Sequence, residues 1–297
     1  MESFRRQENI GVRDVLENKN VIEELKNKAE AIKRRYQPKA EEFIGTPGYD
    51  ENSIKSEIEK VKEYKKNWLD EETPELRHQK NLAEVVEHVV VDQFSGEWLA
   101  NKAVGLYTAE EDDVLRGVDV VAEFTGEDEK HYLGFALDVT IAKDLSVLDS
   151  KLNRIWEKDI KSNKQAEVKY LETSDEHKES VKLFRVIVGI NKDFARELIS
   201  LQRFNKKDEL AKHPFQANLI SQIKYQLESY HRYAEITGNK KLQDQVVESL
   251  KIFYEIYDAK EDLIKEKQVD IEKEADFIHI TSFCDQQLKS AERYFQK

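Results

Sequence analysis

The chain has 297 residues, 39% hydrophobic and 36% charged, with a formal net charge of −12. That apolar content can bury a core and excludes disorder over most of the length, while no apolar run approaches the roughly 20 residues needed to cross a bilayer. Pro (4) and Gly (10) are scarce, and the abundance of Lys, Glu, Leu and Gln favours helix.

Residues 1–14 hold no apolar stretch, so no secretory signal is expected. Apolar residues at Val21, Ile22, Leu25, Ala29 and Ile32 predict a helix over 20–36. Pro38, Pro47 and Gly48 then break the chain. A second helix over about 52–69 follows from Ile54, Ile58, Val61 and Trp68. Both helices are charged on their other face, so residues 1–72 read as a helical hairpin or arm, packed on the core or on a partner. Thr73-Pro74-Glu75 is a helix start, a hydroxyl cap followed by proline in the first turn. That helix runs through Leu76, Ala83, Val86, Val90 and Phe94 to about residue 101.

The period then changes. A short strand at Ala103–Thr108 is followed by VDVVAEF (118–124) and YLGFALDVTI (132–141), joined by the polar TGEDEKH (125–131) in a hairpin pattern. A helix over about 147–161 carries Leu148, Leu152, Ile155, Trp156 and Ile160. LFRVIVGI (183–190) is apolar enough for a central strand. The rest reads as helix: 192–203, 215–236 closed by Thr237-Gly238, one from Asn239, and 275–295. Cys284, the single cysteine, lies in the last as a core residue, and a lone cysteine fits a reducing, cytoplasmic setting. The aromatics of 225–257 read as helix-packing residues. The expected fold class is α/β (α+β): a mixed sheet of about four strands in a core over 73–203, flanked by the N-terminal arm and a helical region over 204–297.

Charge is concentrated in the middle. Residues 81–140 hold 14 acids and three bases, which is −11 of the total −12. Such a centre repels phosphate unless cations intervene, and it suits oxygen ligands for Mg²⁺ or Mn²⁺. Most of these acids read as solvated surface, including Glu111-Asp112-Asp113, an acidic turn before the second strand or an extra ligand. Side chains alternate along a strand. Asp119, Val121 and Glu123 therefore share one face of 118–124, and Gly134, Ala136, Asp138 and Thr140 share one face of 132–141. Asp138 is a carboxylate in an apolar strand and needs a partner, either a protein group or a metal. A hairpin sets Asp119 and Asp138 on the same face.

With Asp119, and Asp-Val-Thr at 138–140, the order helix–β–β–β–helix–β over about 81–191 resembles the PD-(D/E)xK nuclease superfamily. The resemblance implies that Asp119 and Asp138 bind Mg²⁺ or Mn²⁺, with Glu87, or Glu84 on the same helix face, as the helix-borne acid. It implies a lysine that positions or activates the attacking water. Val118 stands where the pattern has proline. Thr140 stands where it has lysine, so the ammonium has to come from elsewhere: Lys143, Lys151 or Lys158, with Lys151 nearest the strand end. On this reading Asp119, Asp138, Lys151 and Glu87 are catalytic, and Asp119, Asp138 and Glu87 hold the metal. DNA or RNA is the expected partner, no membrane is involved, and the long charged helices suit a protein partner or a second copy. Two other readings remain: a catalytically inactive nuclease-like scaffold, and a nucleic-acid-binding subunit without catalysis. The six bases of 151–170 suit either a solvated helix face or a phosphate backbone. His131 sits at the hairpin near the acids.

Overall fold

Capping residues and apolar stripes explain where the chain is helical in the computed structural model, which describes residues 15–125, 131–141 and 145–295. The first helix, α1 (Lys19–Tyr36), starts where the Asn18 side chain accepts from the Val21 N–H, and it buries Ile22, Leu25 and Ala29. Asp50 caps α2 (Glu51–Glu71) in the same way. Thr73 caps α3 (Pro74–Phe94), with Pro74 in the first turn as the sequence predicts. The α3 helix stops at Phe94, short of residue 101: Ser95 bonds back to the Val91 carbonyl and its Oγ accepts from the Gly105 N–H. A single 3₁₀ turn, Glu97–Leu99, then leads to a left-handed Ala100.

The central sheet is mixed. Strand β1 (Ala103–Tyr107) pairs antiparallel with β2 (Val120–Thr125), which pairs antiparallel with β3 (His131–Ile141). Beyond β3 lies β6 (Arg185–Ile190), parallel to it. The connection from β3 to β6 passes through α5 (Leu145–Ile155), a π-type turn at Trp156–Lys161 and a two-stranded hairpin, β4 (Ala166–Glu172) and β5 (Lys178–Leu183). The sheet order is β1-β2-β3-β6, with β4-β5 as a separate pair. Ala122, Phe124, Phe135 and Leu137 face the large core, while Val121 and Ala136 face Val168, Leu171 and Leu183 of the hairpin. Both faces of the middle strands are therefore covered.

Three expectations need correction here. Glu111-Asp112-Asp113 is not an exposed turn but part of a short helix, α4 (Glu110–Arg116), closed by a left-handed Gly117, and Glu111 and Asp112 are buried. Asp112 is held by the backbone N–H groups of Lys169 (2.9 Å) and Tyr170 (2.7 Å). The second strand begins at Val120, so Asp119 stands just before it rather than within it. The bases of 151–170 do not form one helix face, because Lys169 is on β4, where it donates to Glu57 of α2 at 3.0 Å. Glu57 also accepts from Arg116 (2.9 Å) and the Tyr170 hydroxyl (3.0 Å), which fixes the N-terminal arm to the core.

The C-terminal helices α6 (Lys192–Arg203), α7 (Lys207–Ala211), α8 (Phe215–Thr237), α9 (Lys240–Ala259), α10 (Glu261–Ile271) and α11 (Ala275–Phe295) share the main core. Gly238 ends α8 in the left-handed conformation expected of Thr237-Gly238, and Cys284 is buried in α11. No helix among the described residues is long and apolar enough to cross a membrane.

One contact completes the sheet. As its last strand, β6 has outward-facing backbone groups with no strand to pair with. Two glutamines one helical turn apart on α8 supply the partners. Gln226 accepts from the Ile187 N–H (3.1 Å) and donates to the Ile187 carbonyl (2.7 Å), and Gln222 does the same at Gly189 (2.8 and 2.9 Å). One turn further on, the Tyr230 hydroxyl donates to the Arg185 carbonyl at 3.2 Å. Side-chain amides thus stand in for a fifth strand. Gln226→Leu should destabilise by roughly 2–4 kcal/mol, because a buried donor and a buried acceptor are both left unpaired. Urea unfolding measures this, and a change below about 1 kcal/mol would show that the amide contributes no net pairing.

Asp276 adds a pH-dependent term. It is 3% exposed in the first turn of α11, so close to β6 that a Cβ on Gly189 would lie 2.8 Å from its own Cβ. Burial pushes its carboxyl up to about 6; Glu274 adds to the rise and His279 opposes it. A carboxyl raised in the folded state favours folding at low pH and loses that contribution as pH rises through about 6. Asp276→Asn should therefore match the parent near pH 4 and gain on the order of 2 kcal/mol over it above pH 7, read as a difference in thermal midpoint.

Candidate functional site

The site forms where α1, α3 and α4 meet the ends of β2 and β3. Asp138 lies on β3 between two partner strands, opposite Ile187 of β6, and is 5% exposed. Its partner is a lysine. Lys151 projects from α5 and its ammonium donates to Asp138 Oδ1 and to Thr140 Oγ1, both at 2.7 Å. The Thr140 hydroxyl is 3.3 Å from the same Oδ1. Arg154, one turn beyond Lys151, brings Nη2 to 3.8 Å from Asp138 Oδ2. Threonine two residues after the aspartate thus faces the same way as the aspartate and receives the ammonium supplied by the next helix. Lys158 is exposed in the π-type turn, and Lys143 and the His131 side chain lie outside the described residues.

Asp119 is brought close by register. Val120 pairs with Leu137, so one step further along the ladder sets Asp119 beside Asp138. Burial pushes the Asp119 carboxyl well up, and the negative charges of Glu87, Asp113 and Asp138 push it further, with a hydrogen bond to Asp113. Glu87 is half-buried on α3. Burial raises it to about 7; Lys33 pulls it down, while Asp113, Asp138 and Glu84 push it up. Glu84 is exposed, with Lys26 at 3.7 Å. Glu87, Asp119 and Asp138 therefore act on one another electrostatically, as three carboxylates from three elements.

One participant escapes a sequence reading, and another entered it only as an alternative. Asp113, one of the three acids read as a turn or an extra ligand, belongs to α4 and joins Asp119. Lys33 comes from α1, where its ammonium lies 3.5 Å from Asp113 Oδ2. Burial alone would lower the Lys33 ammonium, but Glu87, Asp113 and Asp119 around it drive it up. Sequence carried one signal for Lys33: it follows Ile22, Leu25 and Ala29 at helical spacing, on the face of α1 that turns inward.

The donor set is carboxylate oxygen throughout, which suits a hard cation such as Mg²⁺ or Mn²⁺. Among the described residues, no three His, Cys, Asp or Glu side chains are grouped so as to hold a metal ion by themselves. Mg²⁺ does not require that, because it keeps several waters and is commonly held by one or two carboxylates together with substrate phosphate. The half-buried, mutually repelling Asp119 and Glu87 are carboxylates that a divalent cation would stabilise, so the residues fit such an ion. Compared with known protein families, with curated proteins and with solved structures, the chain matches none of them.

Proposed function

We propose that the protein is a divalent-metal-dependent phosphodiesterase acting on nucleic acid, a nuclease of the PD-(D/E)xK kind. The observation that carries this reading is the Lys151 ammonium, delivered from α5 onto Asp138 and Thr140. It puts a cation beside the second acid although the strand has threonine where the pattern has lysine. The order departs from the expected helix–β–β–β–helix–β, because α4 lies between β1 and β2 and the β4-β5 hairpin lies between α5 and β6. The mutual electrostatic influence of Glu87, Asp119 and Asp138 supports the reading.

Each residue then has a task. One or two of Glu87, Asp119 and Asp138, with water and substrate phosphate, would hold Mg²⁺ or Mn²⁺, which would supply Lewis-acid polarisation of a phosphoryl oxygen and lower the pKa of a bound water. Lys151 orients Asp138 through one hydrogen bond and, with a second given to Thr140, leaves one ammonium proton to face developing negative charge. Thr140 fixes the ammonium by accepting a second bond. Arg154 keeps positive charge on the far oxygen of Asp138.

The ion pair between Lys151 and Asp138 also favours a second reading, an inactive nuclease-like scaffold in which the pair is purely structural. One experiment separates the two. The purified protein is incubated with Mn²⁺ and single- or double-stranded DNA and RNA, and Mn²⁺ binding is followed by calorimetry. Cleavage that stops on chelation is expected. Cleavage continuing undiminished in Asp138→Ala would remove the site assignment, and neither cleavage nor Mn²⁺ binding would establish the scaffold.

A further inference from the structure

The carboxylates do not open onto a bare surface. Between the N-terminal helices and the core lies a cleft of about 1050 Å³, with Glu87, Asp113 and Asp119 on its wall. Its roof is α1 and α2. At the carboxylates the roof comes down to the floor, because Lys33 of α1 reaches Asp113 across the gap at 3.5 Å. Roof and acids are thus one lysine side chain apart. A duplex needs far more room, since its major groove alone is about 12 Å wide. The cleft volume is near the top of the roughly 300–1,000 Å³ range of pockets that enclose a drug-sized ligand. That suits a short stretch of one strand.

Among the described residues, the lining mixes eight Lys and Arg side chains with ten Asp and Glu, together with an exposed aromatic. Trp68, 45% exposed, lies on it, with Tyr64 stacked alongside at 6.4 Å between ring centroids. The Lys80 ammonium is 5.7 Å from the Trp68 ring centroid. Exposed aromatics of this kind take an unpaired base on their face whatever its identity. Lys26, Arg34, Lys62, Lys65, Arg77 and Lys80 line the same cleft. Each is paired with a glutamate, as in Lys26 with Glu84 at 3.7 Å and Lys80 with Glu72 at 3.1 Å. The pair most open to water, Lys62 with Glu59, contributes little and is inexpensive to exchange for a phosphate, whereas the Glu72 side chain is 9% exposed and holds Arg77 and Lys80 more firmly.

We infer that the substrate is single-stranded nucleic acid, drawn beneath the α1–α2 roof with a base on Trp68 and its backbone led past Lys33 to Glu87 and Asp119. This rests on the nuclease reading and adds the substrate class to it. A duplex, by contrast, is too wide for the gap that Lys33 spans; Asp138 and Lys151 do not line this cleft.

The test is binding, read apart from catalysis. The full-length protein, with Ca²⁺ in place of Mn²⁺ so that the acids carry a cation, is titrated into fluorescein-labelled oligonucleotides of about 12 nucleotides, within the site sizes of about 4–16 common for strand binders. Fluorescence anisotropy is followed for a single strand and for the blunt duplex of the same sequence. The single strand is expected to bind at least about 10-fold more tightly, and Trp68→Ala to weaken it roughly 5- to 150-fold, the loss of one stacked base. Trp68→Phe should restore most of the affinity. Equal or tighter duplex binding, or no effect of Trp68→Ala, overturns the inference. Parallel incubation with Mn²⁺ separates it from the reading beneath it. Duplex cleaved as fast as single strand overturns the substrate class and leaves the nuclease. Single-strand binding without cleavage of any nucleic acid supports the channel and removes the hydrolysis. Binding to neither form overturns the inference outright.

Discussion

Asp138→Asn is expected to lower Mn²⁺-dependent cleavage by about 10³-fold, and Lys151→Met by about 10²–10³-fold, the usual loss when one preorganised charge is taken from a reacting centre. The two belong to one unit: Lys151 is 2.7 Å from both Asp138 and Thr140 and has no other anchor at the strand. Residues acting as a unit are not additive. The double variant should therefore be no slower than Asp138→Asn alone. Single-turnover cleavage of a labelled oligonucleotide reads all three. Asp138 is 5% exposed, so Lys151→Met leaves a buried carboxylate with Arg154, at 3.8 Å, as its only cation and should also lower the thermal midpoint; cleavage is therefore compared at a temperature where both variants are folded. If Lys151→Met cleaves at the parental rate while Asp138→Asn does not, the ammonium has no catalytic part and Arg154 becomes the cation to test.

The largest effect on stability is expected at Arg185 and Asp159. Asp159, in the π-type turn after α5, accepts from Arg185 Nε and Nη2 at 2.8 Å each and from the Arg185 backbone N–H at 3.2 Å. Their side chains are 6% and 0% exposed. Removing either partner strands a buried charge, so Arg185→Leu or Asp159→Leu should cost about 3–5 kcal/mol. Replacing both with leucine should recover most of that, because an apolar pair of similar volume carries no desolvation penalty. Urea unfolding of the singles and the double closes the cycle, and a double as unstable as the worse single would contradict the account. The pair also fixes the end of α5 against β6, so it sets where Lys151 stands. A folded single variant should therefore lose activity as well as stability.

Local pattern carried much of this fold, and non-local pairing carried the rest. Apolar stripes located α1, α2 and α3, and Thr73-Pro74 and Gly238 marked helix ends, because caps and periodicity are properties of neighbouring residues. Alternation found β2 and β3, and a carboxylate inside an apolar strand required the partner that Lys151 turned out to be. The β4-β5 hairpin was missed because its strands are charged on the outward side; Ala166, Val168, Leu171, Val181 and Leu183 mark its inner face. In α4, four acids at the start and Gly117 at the end were a helix signal, acids facing the positive end of the dipole and glycine at the stop. Run together, the acids suggested a solvated turn. That Asp112 is buried depends on two backbone N–H groups of β4, more than 50 residues away, which no local pattern encodes. Lys33 enters the site for the same reason, and Asp113, weighed as an extra ligand, is set beside Asp119 by that same packing.

The glutamine pairing along β6 gives the two flanks of the sheet different sensitivities to ionic strength. Gln222 and Gln226 carry no charge, so the junction between sheet and C-terminal helices is unaffected by counterions and titrates at no accessible pH. Near the cleft, many of the contacts between the roof and the core are ion pairs, including Lys26 with Glu84, Lys33 with Asp113 and Lys65 with Glu110. Exposed pairs of this kind weaken as the screening length shrinks. Concentrated salt therefore loosens the roof while the opposite flank holds its register.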